Sequence, residues 1–278
     1  MGGCDFSYSI FKISCLLKNN LLYYDLELDF LGGIMGNQKG YSLFDVMLLI
    51  FGLVISVIVG LYFNAQWFII VNTILALLCV FTQAKGKIIT QFLGLLWSVF
   101  YVYIAFTQQL YGEVILNFAI VIPMYIYGVY NWVKNRQKDS DVVLIKNTLS
   151  KNEWIFFIVG FVGISIGVYF LLKALNTAQL INSTLAFITI LPALYFLIRR
   201  HPLSQVFFLI NDLVGPILWI TLCIQGQPEY IVIAINNYFQ VIYDIYGIVN
   251  WRKLAKAQKK LEQEEMQSLK NENIEKKS

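Results

Sequence analysis

Residues Tyr127–Trp132 read YGVYNW and residues Tyr246–Trp251 read YGIVNW, the same unit recurring 119 positions later. Each copy closes an apolar run just before a basic cluster, Lys134 and Arg136 after the first, Arg252 and Lys253 after the second. Carried backwards, the same offset pairs Tyr111 with Tyr230, Asn117 with Asn236 and Ile126 with Ile245, so the match extends through a whole apolar segment. The chain is therefore internally duplicated, and duplicated bundles in membrane proteins usually enclose a transported solute.

Outward from these motifs the chain stays apolar. Of 278 residues 58% are hydrophobic and 14% charged, with a mean hydropathy of +0.64, which excludes a water-soluble globule for most of it. Inside a bilayer every backbone polar group must find its partner within the protein, so spans are helices or closed barrels; long runs without strict alternation select helices. Runs long enough to cross occur at about 44–63, 67–83, 88–107, 111–133, 154–174, 181–198, 203–225 and 230–251. The reading is an all-α polytopic membrane protein with eight transmembrane helices, in contact with lipid over most of its surface.

Positive charge orients it. Lys85 and Lys87 lie in the 84–88 loop, five Lys/Arg in the 134–152 loop, Arg199 and Arg200 in the next basic turn, and many lysines after Trp251. The alternate connections carry almost none, Lys173 excepted, so the basic loops and both termini are expected in the cytoplasm. Spans two to four and six to eight then cross in the same directions, as parallel three-helix repeats joined by one linker helix. The predicted organisation is a cytoplasmic segment 1–43, an extra helix 44–63, a first repeat 64–133, a loop and linker helix 134–180, a second repeat 181–251 and a charged cytoplasmic tail 252–278. Gly160, Gly163 and Gly167 in the linker helix predict close backbone approach to neighbours, within one subunit or between copies in a homo-oligomer. Residues 1–43 lack the pattern of a signal peptide, and Met35, opening MGNQKGYSLF, is an alternative start.

Polar residues within spans mark the candidate site. Asn236, Gln240 and Asp244 recur every four residues and share one face of the last helix, a stripe that should not meet lipid. A mid-span aspartate costs about 2.5–3.5 kcal/mol on insertion scales, so Asp212 and Asp244 are expected to face protein or a wet cavity. The first repeat offers Asn117 and Tyr125 at the positions matching Asn236 and Asp244, with Glu113 one turn above. The seventh span adds Phe207, Phe208 and Asn211 beside Asp212, and the third adds Gln91 and Trp97. Aromatic faces stack planar rings and attract cations, whereas amides read ring substituents and sugar hydroxyls, so the set implies a small, planar, polar solute. Trp132, Trp251, Tyr127, Tyr130 and Tyr246, near the cytoplasmic boundary, read as interfacial anchors.

Other chemistry is poorly represented. Cys4, Cys15, Cys79 and Cys223 form no CxxC pair and no metal-ligand spacing with His201, which reads as a loop residue; no metal, redox or cofactor role is assigned. Phosphate-loop and HExxH motifs are missing, so ATP-driven pumping and zinc-hydrolase chemistry are not expected. The basic residues gather at helix ends, where topology explains them, so no nucleic-acid partner is expected. A membrane-embedded enzyme using Asp212 and Asp244 as acid and base is the competing class, and it lacks a metal-ligand set and a phosphate loop.

The paired YGxxxW units ending the third helix of each triplet, the Leu110–Tyr111 dipeptide opening one of those helices and the three, one, three plan resemble the PnuC family of bacterial vitamin-precursor transporters. The resemblance covers about residues 65–255. It implies a SWEET-like fold in the cytoplasmic membrane and facilitated diffusion of nicotinamide riboside, or of thiamine or a deoxynucleoside, through a site between the repeats. It also implies trapping by a cytoplasmic kinase. In the nicotinamide riboside carriers the seventh-helix signature resembles WxxWxxxN; here that stretch is LSQVFFLINDL, so phenylalanines with Asn211 or Asp212 fill those roles. A binding role for Asn117 is likewise what the resemblance implies.

Overall fold

Apolar side chains on all sides of a helix suit lipid, and the computed structural model accordingly places eight helices long and apolar enough to cross a membrane among its described residues, 43–137, 140–177 and 179–275. The expectations for residues 1–42, the Met35 start included, lie outside the described residues. The helices are α1 (Leu43–Tyr62), α2 (Trp67–Ala84), α3 (Ile89–Thr107), α4 (Tyr111–Lys134), α5 (Lys151–Ala174), α6 (Leu180–Ile198), α7 (Leu203–Ile224) and α8 (Ile231–Glu275). Six of them close a ring: α2 packs on α3, α3 on α4, α4 on α6, α6 on α7, α7 on α8, and α8 returns to α2. Helix α5 leans on α6 from outside the ring.

Local sequence explains the irregular points. Pro123 has no N–H, and its ring would crowd the carbonyl of Ala119, so α4 widens into a π turn over Asn117–Val121 in which Ile122 donates to the Asn117 carbonyl. Ser150 and Glu153 cap α5 reciprocally: Glu153 N donates to Ser150 Oγ at 3.2 Å, and Ser150 N to Glu153 Oε2 at 2.8 Å. Helix α5 meets α6 through aromatic stacking, Phe157 on Tyr195 at 4.9 Å. Its glycines do not do what the sequence suggested: around Gly160, Gly163 and Gly167 there is open space, so none of them brings α5 against another described helix. Small residues permit close packing only where a neighbour lies on their side.

The basic loops gather at one end of the bundle. Ile88 N donates to Asp141 O at 2.9 Å and Val143 N to Gly86 O at 3.0 Å, while Lys146 N donates to Arg200 O at 2.9 Å. Beyond the last span α8 continues as helix, and Gln258 is bound to the same loop, accepting from Ile145 N and donating to Val143 O.

At this basic end the YGxxNW units make reciprocal contacts. Trp132 Nε1 donates to Leu197 O at 2.9 Å and Asn131 Nδ2 to Ile198 O at 2.6 Å, closing the end of α6. Trp251 Nε1 donates to Gln83 O and Asn250 Nδ2 to Ala84 O, each at 2.8 Å, closing the end of α2. Leu197 O and Gln83 O also accept backbone N–H groups, from Arg200 and Gly86, each at 2.9 Å, so the indoles add a second bond to carbonyls at the helix ends. The two indoles lie 5.9 Å apart and are fully buried, which corrects their assignment as interfacial anchors. Tyr127 and Tyr130 do keep exposed rings, as lipid-facing residues would. The motif glycines serve as seats: the Gln91 side chain lies against Gly128 and the Gln205 side chain against Gly247, with no room for a methyl group in either place.

Candidate binding cavity

A cavity opens inside the ring and takes wall from all six of its helices, with an empty volume of about 980 Å³, mouth included. From α2 come Asn72 and Gln83, from α3 Trp97 and Tyr101, and from α4 Glu113, Asn117 and Tyr125. Helix α7 gives Phe208, Asn211, Asp212 and Trp219, and α8 gives Asn236, Asn237 and Gln240.

Several walls are fixed by their own hydrogen bonds. Asn72 Nδ2 donates to Trp97 O at 3.0 Å, Asn236 Nδ2 to Thr73 O at 2.8 Å, and Thr189 Oγ1 to Asn211 Oδ1 at 2.9 Å. Tyr125 lies directly on the backbone of Gly94, so α3 and α4 approach closely beneath its ring. Asn117, at the head of the π turn, donates to Glu113 O at 2.8 Å. What remains is a set of buried polar atoms without hydrogen-bond partners: Gln83 Nε2, Glu113 Oε1 and Asn236 Oδ1 on the cavity wall. Buried polar groups are almost always bonded, so such atoms mark where a ligand's own polar groups fit.

Of the residues singled out from sequence, the cavity collects Trp97, Asn117, Tyr125, Phe208, Asn211, Asp212, Asn236 and Gln240. The other three face elsewhere. Gln91 lies against Gly128, Phe207 stacks on Phe196 with ring centroids 5.4 Å apart, and Asp244 is fully buried behind the wall, facing Asp212. Sequence reasoning did not propose Asn72, Gln83, Tyr101 or Trp219 for the site, and it noted Glu113 without assigning it there. Asn72 and Gln83 carried a usable signal, being amides in an apolar span. Trp219 carried none, since aromatic residues are frequent in every span of this chain.

Among the described residues the cavity wall contains two carboxylates, Glu113 and Asp212, and no Lys, Arg or His. Its chemistry is amide, aromatic and acidic. It can hydrogen-bond hydroxyls and amides, stack flat rings and neutralise positive charge, and it offers no cation to a phosphate.

A family model described as nicotinamide mononucleotide transporter matches residues 66–253. Among curated proteins, the nicotinamide riboside transporter PnuC of Neisseria mucosa is 23% identical over 222 residues, covering 78% of this chain and 84% of that one. The nicotinamide riboside transporter PnuC of Haemophilus influenzae is 24% identical over 220 residues, covering 78% and 93%. A solved structure, a crystal structure of the vitamin B3 transporter PnuC, superposes with a TM-score of 0.68 at 22% identity, over 79% of this chain and 95% of that one, a likeness of fold.

Proposed function

The chain belongs to the nicotinamide mononucleotide transporter family, and from that premise we propose that it carries the unphosphorylated nucleoside, nicotinamide riboside, across the cytoplasmic membrane. The observation that carries this choice is the acidic cavity without a basic side chain among its described lining residues. A phosphate ester buried there would lose its water and gain no cation, and Glu113 and Asp212 would repel it. A pyridinium nucleoside has the complementary charge, a flat ring for the aromatic walls, and hydroxyls for Asn211, Asp212, Asn236 and Gln240.

The same asymmetry supports facilitated diffusion with trapping. The solute follows its gradient inward, a cytoplasmic kinase phosphorylates it, and the phosphorylated product is refused by the cavity on the way back. With the basic loops placed in the cytoplasm by their charge, both termini are cytoplasmic and the paired YGxxNW contacts close the inner end. Two parallel three-helix modules, 64–133 and 181–251, then rock about the cavity, each holding the other through its terminal tryptophan. The matching seats of Gln91 on Gly128 and Gln205 on Gly247 support that modular reading.

Proteoliposomes holding the purified chain are expected to take up labelled nicotinamide riboside down its gradient, and to exclude nicotinamide mononucleotide. Thiamine and a deoxynucleoside complete the panel as the alternative solutes. Uptake no faster than into empty vesicles for every compound would end the transport reading.

A further inference from the structure

We propose that Glu113, together with the rings of Trp97, Tyr101 and Trp219, is the cation-recognising corner of the cavity, and that it selects solutes whose aromatic ring bears a positive charge. This rests on the transport reading above and deepens it. Glu113 stands on α4 at its first turn and is buried, with 3% of its surface exposed. Its Oε2 accepts from Tyr101 OH and from Asn117 Nδ2, each at 3.4 Å, so one edge of the carboxylate is oriented by neighbours. Its Oε1 makes no close hydrogen bond, and the hydroxyl of buried Ser183 is near enough to interact with the carboxylate.

The three rings line the same cavity as Glu113 and pack against one another. Trp97 lies 5.3 Å from Tyr101 at an interplanar angle of 42°, and Trp219 meets Tyr101 edge-on at 5.8 Å and 88°. Trp219 is itself held from behind by Tyr230, stacked at 5.7 Å and 19°. Ring faces set at steep angles present a guest with negative π density, and a carboxylate in the same cavity adds charge of the same sign. A buried anion with no cationic side chain beside it is costly, and a cationic ring entering this corner removes that cost, so the preference for charge is built into the empty site. Asp212, among the amides of α7 and α8, is placed for hydroxyl groups and contributes to affinity for charged and neutral rings alike.

The test compares nicotinamide riboside with its 1,4-dihydro form, which keeps the sugar and carboxamide but has no ring charge. Equilibrium binding to the purified full chain should favour the cation, and Glu113→Gln should reduce that preference about tenfold. Glu113→Asp, which keeps the charge, should restore part of it, and Asp212→Asn should weaken both compounds equally. Should Glu113→Gln fail to fold, Trp219→Leu carries the test, with the same loss of preference expected. An unchanged preference in these variants, or its loss in Asp212→Asn instead, overturns the assignment while leaving transport intact. If the unaltered chain binds neither riboside nor thiamine, the transport reading itself falls, and the cation corner with it.

Discussion

Trp132 and Trp251 show how one side chain can do two jobs. The indole N–H of each satisfies a carbonyl at the end of another helix, and the indole planes meet each other at the centre of the ring of helices. Their position near the end of a span suggested membrane anchoring, because sequence gives the depth of a residue and not the direction it faces. Replacing either by phenylalanine keeps the ring but removes one buried hydrogen bond, a loss of about 0.5–1.5 kcal/mol, since each carbonyl keeps its backbone donor. For a chain of this size that corresponds to about 2–4 °C in melting midpoint per kcal/mol, readable in detergent by thermal unfolding. Because the rings touch, the double Trp132→Phe/Trp251→Phe variant should depart from the sum of the singles by about 0.5–3 kcal/mol. Strict additivity would show that the two contacts act independently.

At the scale of elements, α1 is instructive because the family match begins only at residue 66. It buries a narrow stripe, Asp45, Leu49, Gly52, Ser56 and Gly60, spaced three or four residues apart as one helical face. Gly52 rests against Leu77 of α2 and Phe239 of α8. At the basic end Asp45 pairs with Lys85 at 2.6 Å, with both side chains under 10% exposed, and Lys85 also bonds the hydroxyl of Tyr246 from the second YGxxNW unit. Lys85 is thus an interior partner as well as one of the charges that orient the chain. Asp45→Asn should cost about 3–5 kcal/mol by leaving Lys85 buried without its counter-charge, whereas Asp45→Leu combined with Lys85→Met should recover most of that loss. Thermal unfolding of both variants is the check; a wild-type midpoint for Asp45→Asn would mean that this ion pair does not secure α1.

For the whole molecule, the backbone bonds joining residues 86–88, 141–146 and 200 put three basic loops together at one end. The orientation proposed from the positive-inside bias puts that end in the cytoplasm. In a background with Cys4, Cys15, Cys79 and Cys223 replaced by serine, a cysteine at exposed Asn147 should react with a membrane-impermeant thiol reagent only after permeabilisation, while one at exposed Gln225 should react in intact cells. The reverse pattern would invert the proposed orientation, and labelling of both from one side would break it.

Hydropathy and period alone determined that this chain crosses a membrane as eight helices, because a bilayer leaves backbone polar groups no other partners. The duplicated motif and the polar stripe of the last helix were equally legible, since both are regularities of spacing. Which polar groups share the cavity was decided by tertiary structure. A mid-span amide or carboxyl must avoid lipid, but it can do so by facing a wet cavity, as Asn236 does, a glycine seat, as Gln91 does, or another buried side chain, as Asp244 does. The choice depends on how each helix is rotated against its neighbours, and in α4 on a π turn forced by Pro123 that shifts the phase of everything after it.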